Sequence, residues 1–196
     1  MKRLLSISLL ALAASSAFAG TLIQTGTWDG SSPRWNRPLE DGSGLSGLGI
    51  DNVYTAIKFT VSASSTYTFE LGNPVNSVNN IDTFLVLYKD AFDPSNGLAN
   101  FVAANDDNGA AFTVLADGGY KAGSILRSSF SSALDAGTTY YLVATTFWNY
   151  DPNFDDNHGD YGVGIGGRGD INPPVPEPAS LAVLGLGALA LKRRKR

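Results

Sequence analysis

Between residues 53 and 61 the chain alternates. Val53, Thr55, Ile57, Phe59 and Val61 fall on one side, and Tyr54, Ala56, Lys58 and Thr60 on the other. That period of two marks a strand with one buried face. Tyr67, Phe69 and Leu71 repeat it, whereas Asp82–Tyr88 and Tyr140–Phe147 are nearly continuous apolar runs suited to central strands covered on both faces. Shorter runs at Thr21–Thr27, Phe101–Ala104, Ser124–Phe130 and Tyr161–Ile165 bring the set to about eight strands, with Gly, Asn, Asp and Pro clusters between them as turns. The body between the chain ends shows no helical period and no internal repeat. It predicts an all-β fold over residues 20–171, a single antiparallel β-sandwich or jelly roll.

The two ends have a different pattern. Lys2 and Arg3 precede an apolar run from Leu4 to Ala14, followed by the small-residue site Ala17-Phe18-Ala19. These are the three parts of a secretory signal peptide over residues 1–19, whose helix is far short of the ~20 residues a membrane span needs. Cleavage after Ala19 leaves Gly20 first. At the other end, residues 172–178 form a proline-rich spacer ending in Pro176-Glu177-Pro178. Ala179 to Leu191 then carries no charge, and Lys192 to Arg196 are five consecutive cations. Pro178 and Glu177 suit the first turn of a helix. An apolar helix of that length covers about 20 Å, which spans the hydrocarbon core only if Lys and Arg stems snorkel to the interface. The cations keep the tail cytoplasmic while the body is delivered outward.

This C-terminal arrangement resembles the PEP-CTERM sorting signal of bacterial surface proteins: the Pro176-Glu177-Pro178 motif, the short apolar helix with Gly185 and Gly187, and the basic terminus over residues 179–196. The resemblance implies delivery by the Sec translocon, transient anchoring in the inner membrane by a transmembrane helix, and recognition by an exosortase that removes the tail. It also implies a secreted or cell-surface destination in bacteria that make extracellular polysaccharide and biofilm matrix.

Composition narrows the chemistry. The chain has 196 residues, 16% of them charged, with no Cys and one His. Disulfides, thiolate metal sites, cysteine nucleophiles and sites needing two imidazoles are excluded. Residues 20–175 hold seven basic and seventeen acidic residues, a net charge of −10. A surface that acidic repels phosphate backbones and argues against a nucleic-acid partner.

Within the body, Asp82 to Tyr88, Ala104 to Asn108, Leu134 to Val143 and Gly159 to Val163 follow one another in an order that resembles the bacterial pre-peptidase C-terminal domain. That resemblance implies a noncatalytic accessory or adhesion β-sandwich, sometimes calcium-stabilised or matrix-binding. It transfers no catalytic residue. The insertion Asn149 to Asn157 and the Gly-rich approach to Val53 depart from its compact form.

Calcium is the one cofactor the residues suggest. Asn105-Asp106-Asp107-Asn108 follows a strand and offers a cluster of oxygens, with Asp106 and Asp107 as the expected ligands; its alternative is an Asx turn. Asp151, Asn153 and Asp155 have the first spacings of an EF-hand loop. Asp156 stands at the glycine position and Gly162 at the bidentate Glu, so the loop is not an EF-hand. The short turn is expected to be ordered by its neighbours, and the longer loop only by an ion. Trp28, Trp35, Trp148 and Tyr150 are candidates for stacking on sugar rings, with extracellular polysaccharide as partner. His158 has no Gly-x-Ser-x-Gly elbow to serve, and Glu40 and Glu70 are the body's only glutamates for a glycosidase pair. The expected role is noncatalytic, structural or adhesive; a polysaccharide-binding module is the alternative, and a hydrolase ranks third.

Overall fold

The computed structural model describes residues 20–116, 119–121 and 124–173. The signal peptide, the Pro176-Glu177-Pro178 motif and the apolar tail lie outside the described residues. Among the described residues ten strands occur: β1 (Gly20–Trp28), β2 (Arg34–Trp35), β3 (Asn52–Val61), β4 (Ser65–Gly72), β5 (Thr83–Lys89), β6 (Phe101–Asn105), β7 (Ser128–Leu134), β8 (Tyr140–Thr146), β9 (Gly159–Gly167) and β10 (Ile171–Asn172). They form two antiparallel sheets. One has the order β1-β9-β4-β7, the other β10-β3-β8-β5-β6 with β2 on β3. Among the described residues there is no helix, and none long and apolar enough to cross a membrane.

The alternation in β3 is observed as drawn from the sequence: Val53, Ile57, Phe59 and Val61 are buried, Ala56 and Lys58 exposed. With Phe69, Leu71, Leu85, Leu87, Leu142, Val163 and Ile165 they build one core from the residues of both sheets. β5 lies between β8 and β6 and is buried on both faces. Leu85 and Leu87 enter the main core, while Phe84, Val86 and Tyr88 join Trp35, Val143 and Phe92 in a second cluster on the outer side. The continuous apolar run at 82–88 has this cause.

Two strands were not expected, because two-residue pairings carry no periodicity: Arg34–Trp35 on Val53 and Asn52, and Ile171–Asn172 on Val61 and Thr60. The strand expected at Ser124–Phe130 begins instead at Ser128. Ser124 closes a turn, its Oγ accepting from Leu126 N and its carbonyl from Arg127 N, and pairing starts where Ser128 meets Leu71.

The registers sort the connections to two ends. Gly20, Val61, Ser65, Lys89, Leu134, Tyr140 and Gly167 lie at one end, with the start of β10. Its links 62–64, 135–139 and 168–170 are short, and 90–100 is longer. The opposite end carries 29–51, 73–82, 106–127 and 147–158. Described parts of two of these loops fold back over the sheets. The segment 29–51 brings Trp35 and Arg37 onto the outer face of the six-stranded sheet, Arg37 stacking on Phe84 and Phe147 at 4.2 and 4.4 Å. Phe112, Val114, Leu115 and Tyr120 cover the other sheet, where β9 is glycine-rich: a Cβ at Gly164 would stand 2.9 Å from Val114. Glu70, 1% exposed, fastens that cover. Its carboxylate accepts from Thr113 N and Oγ1, Val114 N and Leu115 N at 2.6–2.9 Å.

Glu70→Gln puts an amide NH₂ against backbone donors and removes the charge that accepts them. The expected loss is about 2–3 kcal/mol in urea unfolding, against less than about 0.5 kcal/mol for Glu40→Gln at the surface. Equal small effects would show that the four hydrogen bonds do not hold the cover.

Candidate functional site

The antiparallel pairing of β5 with β6 aligns Leu85 with Asn105. The residue preceding β5, Asp82, therefore meets the pair following β6, Asp106 and Asp107. One carboxylate oxygen from each of the three lies within 4.8 Å of the others. Asp106 and Asp107 were singled out by the sequence. Asp82 was missed, since a cross-strand register is not written in composition; its one signal is a carboxylate at the head of an otherwise apolar run.

Neighbouring backbone fixes all three. Asp82 N donates to Asp156 O (2.7 Å) and its carbonyl accepts from Phe147 N (2.8 Å). Asp106 O accepts from Ser128 Oγ (2.9 Å), Asn105 Oδ1 from Ser129 N (2.8 Å), and Asn108 N donates to Arg127 O (2.6 Å). The 105–108 segment is thus stitched to the start of β7. The expectation that only this segment would be pre-ordered needs correction. The 147–158 loop is also held, by Asn80 N to Asp155 O, Asp151 N to Asn157 Oδ1, and Ile50 N and Asp51 N to Asn149 Oδ1.

The remaining candidates separate. Trp28 and Trp35, expected to be partly open for stacking on sugar, are 1% and 4% exposed. Trp28 stacks on Tyr161 at 4.0 Å and its Nε1 donates to Thr55 Oγ1; Trp35 Nε1 donates to Thr145 Oγ1 within the second cluster. Trp28 is a core residue because it ends β1 against β9, and Trp35 because its segment folds back onto the sheet, where Tyr54, Tyr88 and Phe92 surround it. Trp148 is 40% exposed and Tyr150 half-buried, with the Arg34 guanidinium 3.8 Å over the Tyr150 ring. Phe154, 59% exposed, is an aromatic the sequence reading passed over. Asp151 Oδ1 accepts from Asn153 N and Nδ2, the Asx-turn use of that side chain. Glu70 is held by the 113–115 backbone and Glu40 Oε1 accepts from Asn105 Nδ2, so the two glutamates serve different contacts. His158 Nδ1 lies 3.2 Å from Asn157 Oδ1 and its ring packs on Tyr150. Gly20 is the first residue of β1; Ala17, Ala19, Pro176, Glu177 and Pro178 lie outside the described residues.

The carboxylate cluster concentrates negative charge where it is poorly solvated. Asp82 Oδ1 and Asp106 Oδ1 are buried with no hydrogen-bond partner. Burial first, and then repulsion from Asp107 and Asp156, raises Asp82 to about 6. Burial, then Asp107 and Asp82, raises Asp106 to about 7. The guanidiniums of Arg37 and Arg127 oppose this through space, but their hydrogen bonds go elsewhere: Arg37 to Phe147 O and Pro38 O, Arg127 to Ile81 O, Leu126 O and Asn80 Oδ1. Among the described residues the ion pairs are Arg34–Asp51 and Lys89–Asp135, and neither enters the cluster. Such a group takes up a proton or a hard cation.

Both aspartates bind protons more tightly folded than unfolded, so their protonation stabilises the fold. That contribution is complete below the unfolded value near ~4 and is lost as pH rises through 6 and 7. In chelator, the melting temperature is expected to fall between pH 5 and pH 8, and Asp82→Asn with Asp106→Asn to flatten that slope. A melting temperature that rises over this interval and is untouched by the double substitution would refute the assignment.

No curated protein matches the chain. One family model does, the PEP-CTERM protein-sorting motif, over residues 174–196. The chain therefore carries a PEP-CTERM sorting motif at its C-terminal end, joined to an all-β body of two antiparallel sheets.

Proposed function

We propose that this is an exported bacterial surface or matrix protein whose body is a noncatalytic β-sandwich with a structural or adhesive role, steadied by calcium. The observation that carries the reading is the sorting motif at 174–196. It implies recognition by an exosortase, with the apolar segment as a transient membrane anchor. The signal pattern at 1–19 supplies the export route. The two packed sheets support a sandwich, and the body's likeness to the pre-peptidase C-terminal domain supports an accessory role: its segments are β5, the end of β6, the β7–β8 turn and β9.

The fit to calcium rests on the donor set. Hard cations take six to eight oxygens. Asp82, Asp106 and Asp107 offer carboxylates within 4.8 Å, and two of their oxygens are buried without partners. Asp107 is exposed, which leaves a side open to water ligands.

Two outcomes follow. Intact-mass measurement of the extracellular protein is expected to give a chain beginning near Gly20 and lacking Ala179–Arg196, and alanines at Pro176-Glu177-Pro178 are expected to retain it in the membrane. An extracellular form keeping the basic tail would overturn the sorting reading. Millimolar calcium, the range of extracellular modules, is expected to raise the melting temperature over EDTA, and more so at pH 8 than at pH 5 because protons compete for the same oxygens. Asp106→Asn with Asp107→Asn abolishes that shift, whereas Asp155→Asn with Asp156→Asn leaves it. The reverse pattern would place the ion in the other loop.

A further inference from the structure

Trp148 and Phe154 stand between two adjoining clefts at the loop end of the sheets, and both side chains line both clefts. One cleft, of about 310 Å³, is completed by Asn80, Asp82, Leu126, Asp155 and Asp156. The other, of about 470 Å³, includes Leu48, Tyr150 and Asp151 and shares Asp156. Among the described residues no lysine or arginine lines either.

The backbone that presents these aromatics is held in place. Trp148 O accepts from Asn52 Nδ2 and Thr146 Oγ1, both at 2.8 Å, and Phe154 N donates to Asp151 O. Yet the side chains remain 40% and 59% exposed beside Leu48 at 55%. An ordered loop that leaves two large aromatics in water, rimmed by carboxylates, is a binding surface for a ligand with both an apolar face and positive charge. Among the described residues, Asp155 and Asp156 receive no side-chain hydrogen bond that would occupy their carboxylates.

The geometry points to a cationic amino-sugar polymer, a polysaccharide of deacetylated glucosamine type, as the occupant. A pyranose ring lies with its C–H face on Trp148 or Phe154, and its ammonium meets Asp151, Asp155 or Asp156. The paired clefts across one aromatic ridge admit successive rings of a chain. A uronic-acid polymer is repelled by the same carboxylates, and a neutral polyol gains nothing from them. This inference rests on the proposed surface location and specifies the polymer met there.

The test uses the full chain with its tail, purified in mild detergent, and three probes at mildly acidic pH, where the amines are protonated: a glucosamine hexasaccharide, its N-acetylated counterpart and hexalysine. Titration is expected to show the glucosamine oligomer binding at least about tenfold tighter than the other two. Trp148→Ala and Asp155→Asn are each expected to weaken it about tenfold with the melting temperature unchanged. If Trp148→Ala lowers the melting temperature, Phe154→Ala is read in its place. Equal or tighter binding of hexalysine would assign the clefts to a basic peptide and overturn the proposal. So would undiminished binding by the variants, or no binding at all. A protein that is exported and trimmed normally yet ignores the glucosamine oligomer overturns this inference alone; failed processing overturns the surface reading.

Discussion

A sheet whose central strand is apolar on both faces must be covered on both, and much else in this molecule answers to that requirement. β5 sends Leu85 and Leu87 inward and Phe84, Val86 and Tyr88 outward. The inward side is met by the other sheet. The outward side is met by a loop, the segment carrying Trp35 and Arg37, which makes an apparently featureless Gly-, Ser- and Pro-rich stretch part of a second apolar cluster. Burying those side chains gives this cover its stability, on the scale of about 1.5–3 kcal/mol for each large apolar residue. It also brings a guanidinium to the same end of the sheet where β5 begins and β6 ends.

Buried charge is handled in three ways, and the contrast isolates the candidate site. Glu70 is fully buried and fully paired, its carboxylate gathering three backbone N–H groups and a hydroxyl. Arg37 and Arg127 are buried with their terminal nitrogens directed at carbonyls, and Arg127 Nε alone among their donors is buried without an acceptor. Asp82 and Asp106 are different: each has a buried oxygen with no donor, and each is pressed by a second carboxylate. Unpaired acceptors under mutual repulsion are costly, and they persist where a proton or a cation relieves them. A satisfied buried carboxylate and an unsatisfied one are thus told apart by their partners, because residue type and burial alone do not separate them.

The polarity of the fold carries the functional argument further. The N-terminus of β1 and the start of β10 share one end, with mostly short links, while the long loops gather at the other. Rigid strands hold long loops as a group, which is how many all-β domains build recognition surfaces. The short links and the start of β10 lie at one end of the described body. The acidic cluster and the aromatic clefts occupy the opposite one.

Eight of the ten described strands, their antiparallel arrangement and the sorting motif were legible in the sequence because each depends on local order: a period of two in β3, an apolar run in β5, a proline motif followed by an apolar stretch and cations. Asp106 and Asp107 were legible for the same reason, being adjacent. Asp82 was not, since its partnership arises from the β5–β6 register across more than twenty residues. The aromatics show the limit most plainly. Trp28, Trp35, Trp148 and Phe154 all sit at strand ends or in loops, and nothing local distinguishes the two that are buried from the two that face water. Local sequence determines which residues form strands and turns. Which loop folds back over a sheet, and therefore which side chain lies in the core and which carboxylate lacks a partner, is decided only when distant segments pack together.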